Sequence, residues 1–225
     1  AETFFCENGE YSIANGPVIR EAQNHRFGWL SFQDILKFSS NIGAAKIGLK
    51  MGKRVFYQKI LEFGFGQKTG IELPGESPGA IRPIQTWTPI DLGNIAFGQG
   101  ISVTAIQMIS AISAIANDGQ LMKPIFVSKK SDPGTGKTVE TAPEAIRQVI
   151  SASDAHRLTR MLTRVMEEGG TGYLAALTDV VAAGKTGTAQ KPNLKTGGYL
   201  SDKYTASFIG YFPADRPKYS ALVIL

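Results

Sequence analysis

The segment Gly184-Lys185-Thr186 follows a short apolar run, Val180 to Ala183. A lysine between a glycine and a hydroxyl can do two different kinds of chemistry. One is to hold a nucleotide phosphate, which needs Gly-x-x-x-x-Gly-Lys-Ser/Thr running directly into a helix, so that backbone N–H groups meet the anion. For Lys185 the first glycine of that pattern falls on Asp179, whose carboxylate repels phosphate, and Gly187 to Pro192 is a poor start for a helix. A second near-match, Ser131 to Thr138, puts Ser131 where the glycine belongs and is followed by Pro143. It reads as a turn between strands or before a linker. Both are set aside as phosphate loops.

The other use of the lysine is on an extended strand. Lys185-Thr186-Gly187 there presents an ammonium, and Gly187 leaves the strand bare, so that a substrate can lie close to the backbone. Thr188 adds a hydroxyl and an N–H. A partner motif lies 146 residues upstream, Ser39-Ser40-Asn41, at the break between two predicted helices. Taken alone, it reads more readily as a helix cap. Ser-x-Asn and Lys-Thr-Gly, with a Ser-x-x-Lys, line one cleft in serine enzymes that react with penicillins. No serine in this chain is followed by lysine at that spacing: Ser31 meets Asp34, and Ser128 meets Ser131.

The elements that would position these residues are legible from caps and periodicity. Ser31-Phe32-Gln33-Asp34 has the form of a capping box and predicts a helix whose apolar side is Ile35, Leu36 and Phe38. Ile42 to Met51 predicts a second helix, ended by Gly52, and Arg54 to Phe63 a third, stopped at Gly64 to Gly66. Thr69 to Gly79 is a loop by its proline and glycine density. Phe97 to Thr104 reads as a turn and cap near the cleft. Thr104 with Gln107 opens another helix with Met108, Ile109, Ile112 and Ile115 inward, closed by Asn117-Asp118-Gly119. Ser153 is expected to cap a last helix, carrying Leu158, Met161, Leu162 and Val165, that ends at Gly169-Gly170. Strands are then predicted over Val180–Gln190, Tyr204–Phe212 and Lys218–Leu225, with Lys191 to Gly198 and Pro213 to Pro217 as turns. Helices first and an antiparallel sheet last is an α+β arrangement: residues 1–175 mainly helical with the Ser-x-Asn, 176–225 the sheet with the Lys-Thr-Gly.

Composition bounds the rest. The 225 residues are 43% hydrophobic, enough for one cored domain. The formal charge of +5 is scattered, with no basic run that would track a nucleic acid, and no such partner is expected. Cys6 is alone and reads as a small buried hydrophobe; His25 and His156 sit in no ligand motif. Neither a metal nor a cofactor is expected. No apolar stretch is long enough to span a bilayer.

Six segments, Phe38–Gly48, Phe63–Glu76, Asn94–Met108, Ala114–Pro124, Ala182–Gln190 and Tyr204–Asp215, together resemble the transpeptidase domain of class B penicillin-binding proteins. Within that family they look most like the division-type enzymes. The resemblance covers nearly the whole chain in the family's order. It implies a serine β-lactamase/transpeptidase-like fold and a peptidoglycan D,D-transpeptidase that forms an acyl-enzyme at the D-Ala-D-Ala end of a stem peptide and is trapped by β-lactams. It implies catalytic roles for Ser39 (proton relay to the leaving nitrogen), Asn41 (orienting the catalytic lysine and bonding the substrate amide) and Lys185 (positive potential and proton transfer with Ser39). Thr186, Gly187 and Thr188 would bind the substrate strand and its terminal carboxylate, with Gln190 just beyond. The Thr188 N–H would supply half of an oxyanion hole. The resemblance also implies cell-division partners and a catalytic domain on the periplasmic side of the inner membrane, its anchor outside this chain.

The missing Ser-x-x-Lys is the departure from the family pattern. It is expected upstream of Ala1, and the apolar strand reaching Leu225 suggests a piece of a larger domain, able to exchange strands with another copy. By itself the polypeptide is expected to be inactive. A D-Ala-D-Ala carboxypeptidase, a serine β-lactamase and a non-catalytic β-lactam sensor of the same fold remain open, because the residues do not distinguish an amine acceptor from water.

Overall fold

The computed structural model describes residues 2–13, 16–193 and 197–225. The chain opens with four short strands, β1 (Thr3–Phe5), β2 (Glu10–Ser12), β3 (Val18–Arg20) and β4 (Trp29–Ser31), paired antiparallel as β1 with β4 and β2 with β3. None was anticipated, since three residues are too few to show a period of two. They curl around the start of the helical part: Cys6, Ile13 and Ile19 pack with Ile42 and Ala45 in one core cluster. Cys6 is fully buried there, as its reading as a hydrophobe requires.

Helix α1 (Phe32–Phe38) starts at Ser31, whose Oγ accepts the Asp34 N–H and donates to the Asp34 carboxylate. It stops at Ser39, which takes the left-handed conformation (φ 57°, ψ 44°). After this two-residue break α2 (Asn41–Met51) begins, capped by Ser40, and α3 (Lys53–Glu62) follows across Gly52. Helix α4 (Pro89–Ala96) was not expected, although its signal is in the sequence: Thr88 and Asp91 form a capping box with Pro89 at the first helical position. It packs on α2 and helps form a core of Trp87, Leu92 and Ile95.

The expected box of Thr104 and Gln107 opens α5 (Ala105–Ala116). Between α5 and the last helix lie β5 (Gln120–Met122), β6 (Lys129–Ser131), β7 (Thr138–Glu140) and β8 (Ala145–Gln148). Here β6 and β7 form a hairpin around Asp132 to Lys137, which is the turn that the glycine-rich stretch suggested. Residues 1–175 thus hold all six described α-helices together with eight short strands.

Helix α6 (Ala152–Val165) is capped by Ser151, not by Ser153. Both serines are capping types, but only Ser151 has an acid three residues on: its Oγ accepts the Asp154 N–H at 3.1 Å and donates to the Asp154 carboxylate at 2.8 Å. The helix ends at Val165, four residues short of Gly169.

The last three strands, β9 (Ala183–Pro192), β10 (Tyr199–Phe212) and β11 (Tyr219–Ile224), form an antiparallel sheet in the order β11-β10-β9. Compared with expectation, β9 begins three residues later and β10 five residues earlier, shortening the turn between them. Leu194 to Thr196 of that turn lie outside the described residues. Helices α5 and α6 cover one face of the sheet, where Ile112, Leu162, Ala183, Tyr211 and Ala214 make a second core cluster. Tyr211 is buried at 1% exposure, and its hydroxyl hydrogen-bonds Thr159 of α6 at 2.7 Å.

Candidate active site

Strand β9 is an edge strand in this sheet, and its pleat sorts the motif residues. Ala183, Lys185, Gly187 and Ala189 share one face, and Thr186, Thr188 and Gln190 the other. Ala183 packs into the core beneath α5 and α6, so Lys185, one pleat farther along, points out at the rim of the helical layer. What it meets there is the end of α1. The Lys185 Nζ donates to Ser39 Oγ at 2.7 Å and to the Thr186 carbonyl at 3.0 Å. Burial of the amine, which disfavours its charged form, lowers the Lys185 pKa from 10.5 to about 8.

Packing brings these two residues together across the chain. Helix α1 is clamped to α6 by Arg164, whose guanidinium donates to the Gln33 side chain at 2.8 Å and lies 3.7 Å from the Asp34 carboxylate. Helix α6 in turn lies on β9. The loop after α6 completes the bridge: the Thr171 N–H donates to the Lys37 carbonyl at 3.2 Å, while the Thr171 hydroxyl accepts from Thr186 Oγ1 at 2.8 Å. Thr171 was not picked out from the sequence. The signal was the dense Gly169-Gly170-Thr171-Gly172 between a helix end and the Lys-Thr-Gly strand.

Gly187 has a reason beyond room for a ligand. A Cβ there would come within 2.6 Å of the Ser207 hydroxyl, which sits opposite it on β10. The neighbouring strand already occupies that space.

Asn41 opens α2. Its Nδ2 donates to the Arg20 carbonyl at 2.8 Å, and its backbone N–H to the Glu21 carboxylate at 2.7 Å. Thr188 is exposed and Gln190 partly so, both on the strand face that carries Thr186. The structure therefore joins Ser39, Lys185 and Thr186 in one hydrogen-bonded group, places Asn41 two residues from Ser39, and leaves Thr188 and Gln190 facing outward along the same strand. An apolar groove of about 540 Å³ between Phe4, Phe32, Met51 and Met161 lies outside this group. Among the described residues no cluster of His, Cys, Asp and Glu could hold a metal, and no helix is long and apolar enough to cross a membrane.

All 225 residues match the family described as the penicillin-binding protein transpeptidase domain. The chain belongs to that family. Its curated relatives include stage V sporulation protein D of Bacillus subtilis, 41% identical over 95% of this chain and 32% of the relative. Penicillin-binding protein PbpB of Mycolicibacterium smegmatis is 37% identical over 91% of this chain and 32% of its own length. The chain thus spans about a third of the length of these relatives. Among solved structures, the transpeptidase domain of Burkholderia pseudomallei penicillin-binding protein 3 superposes with a TM-score of 0.87 at 30% identity, covering all of this chain and 63% of that one. Penicillin-binding protein 3 of Mycobacterium tuberculosis, solved with aztreonam and with ampicillin, superposes at 0.88 with 34% identity over 96% of this chain and 49% of that one. The expected class B family and its mixed α and β fold are borne out. The division-type assignment is not singled out, since a sporulation protein stands among the relatives.

Proposed function

We propose that the full-length protein carrying this chain is a peptidoglycan D,D-transpeptidase and that Ser39, Asn41 and Lys185 serve its acyl-transfer step. The observation that carries this reading is the 2.7 Å hydrogen bond between Lys185 Nζ and Ser39 Oγ, made across two motifs whose only evident common use is one cleft. The donor is a stem peptide ending in D-Ala-D-Ala. A serine oxygen, from a Ser-x-x-Lys outside these residues, attacks the carbonyl carbon of the penultimate D-Ala. The ester C–O bond forms, the C–N bond breaks, and the terminal D-Ala leaves with the proton that Ser39 relays to its nitrogen. An amine of a neighbouring strand then attacks the ester, forms the cross-linking amide and frees the serine.

Each residue has a place in that sequence. Lys185, partly dehydrated and with a pKa near 8, exchanges protons with Ser39 more readily than an exposed lysine would. Asn41 has committed Nδ2 to Arg20, which leaves its carboxamide oxygen for the ammonium of the missing lysine. Thr186 and Thr188 hold the terminal carboxylate, with Gly187 and Gln190 along the same strand, and the Thr188 N–H faces the developing oxyanion. A substrate backbone adds to the free edge of β9 as a further strand. β-Lactams occupy the same cleft, and the M. tuberculosis neighbour solved with aztreonam and ampicillin supports this. Division proteins as partners, a role in septal synthesis, and a membrane anchor with this domain on the outer side complete the proposal.

The test is turnover by the full-length protein of a D-Ala-D-Ala stem peptide in the presence of an amine acceptor. Release of D-Ala with formation of the cross-linked amide supports transpeptidation. Release to water alone, with no amide product, would assign a carboxypeptidase instead.

A further inference from the structure

Beside the Ser-x-Asn motif lies a carboxylate that the steps above do not use. Glu21 is 5% exposed and follows β3 directly. One carboxylate oxygen accepts the Ser40 hydroxyl at 2.5 Å, and the other accepts the Asn41 N–H at 2.7 Å. Its neighbour Arg20 gives its carbonyl to the Asn41 side chain at 2.8 Å. Two consecutive residues thus hold both residues that follow Ser39. The charge sits at the N-terminus of α2, where backbone N–H groups favour an anion. Burial pushes the Glu21 carboxyl above its usual range, and the hydrogen bonds from Ser40 and Asn41 oppose that shift.

Ser39 needs such holding. Its left-handed backbone (φ 57°) is unfavourable for a residue with a side chain and persists where surrounding contacts over-determine it. The direction of its hydroxyl depends on the peptide plane that follows, and that plane belongs to Ser40, whose hydroxyl is fixed on Glu21 while accepting the Gly43 N–H at 3.0 Å. Resting on the acyl-transfer reading above, we propose that Glu21 is a positioning residue: it locks the Ser39-Ser40-Asn41 turn so that the Ser39 hydroxyl stays against Lys185. It touches neither substrate nor reacting atoms.

A residue of this kind affects the chemical step, whereas a simple helix cap affects only stability. The full-length protein is acylated with a fluorescent penicillin, and the acylation rate constant is separated from the reversible dissociation constant. Glu21→Ala should slow acylation about 100-fold, the scale of a 1 Å misplacement, with the dissociation constant within about threefold of wild type. Glu21→Gln keeps one acceptor oxygen and should recover about tenfold of that loss. Ala45→Gly, in the buried middle of α2, provides the stability control: it should lower Tm and leave the acylation rate unchanged. If neither Glu21 variant folds, Ser40→Ala removes one Glu21 contact and should slow acylation in the same direction. Wild-type acylation rates in the Glu21 variants, or losses confined to Tm or to the dissociation constant, would overturn the proposal. If wild type itself is not labelled, the acyl-transfer reading fails instead.

Discussion

Ser39 and Lys185 stand 146 residues apart in the chain and 2.7 Å apart in space, the amine donating to the hydroxyl. One lies at the C-terminal end of α1 and the other on an edge strand, so their contact depends on α1 packing on α6 and α6 packing on β9. The chemistry proposed for the cleft rests on that pair.

The buried amine should leave a signature in stability against pH. The Lys185 pKa is lowered in the fold from 10.5 to about 8. Between those values the unfolded chain carries the proton and the folded one does not, so stability rises with pH across that window. The favourable contribution is full above 10.5 and is lost as pH falls through about 8. The difference is on the order of 3 kcal/mol at about 1.4 kcal/mol per pH unit. Denaturant unfolding from about pH 7 to 11 should show this rise, and Lys185→Met should flatten it. An unchanged slope in the variant would show that the amine is not dehydrated.

Gly187 should be intolerant of a single methyl group for a local reason. Its added Cβ would come 2.6 Å from the Ser207 hydroxyl, so Gly187→Ala should cost roughly 1–3 kcal/mol of stability. Removing that hydroxyl with Ser207→Ala should restore most of the loss in the double variant. Simple additivity of the two changes in a double-mutant cycle would refute the clash.

The 225-residue chain alone should not be labelled covalently by a fluorescent penicillin, because no serine in it has a lysine three residues on. A labelled band on a denaturing gel would mean that one of its own serines is the nucleophile.

Much of this arrangement could be read from the sequence because its signals are local. The caps at Ser31 and Thr104 and the β-rich segments at the C-terminus each announce their element within a few residues. The short strands before α1 carry no such period, and α4 was hidden behind a proline that opens a helix as readily as it breaks one. Ser151 and Ser153 compete for one cap, and the three-residue spacing to Asp154 decides between them. At the site, the two motifs pointed to Ser39 and Lys185 but not to Thr171 or Glu21. Those two act through contacts 15 and 20 residues distant in sequence, from a glycine-rich loop and a strand end that resemble ordinary connections.

The most direct measurement is the acylation rate of the full-length protein by penicillin with and without the Ser39 hydroxyl. Ser39→Ala should slow acylation by about 10²–10⁴, the usual worth of a positioned proton donor, with reversible affinity little changed. An acylation rate within about threefold of wild type would show that the hydroxyl facing Lys185 takes no part in the proton transfer.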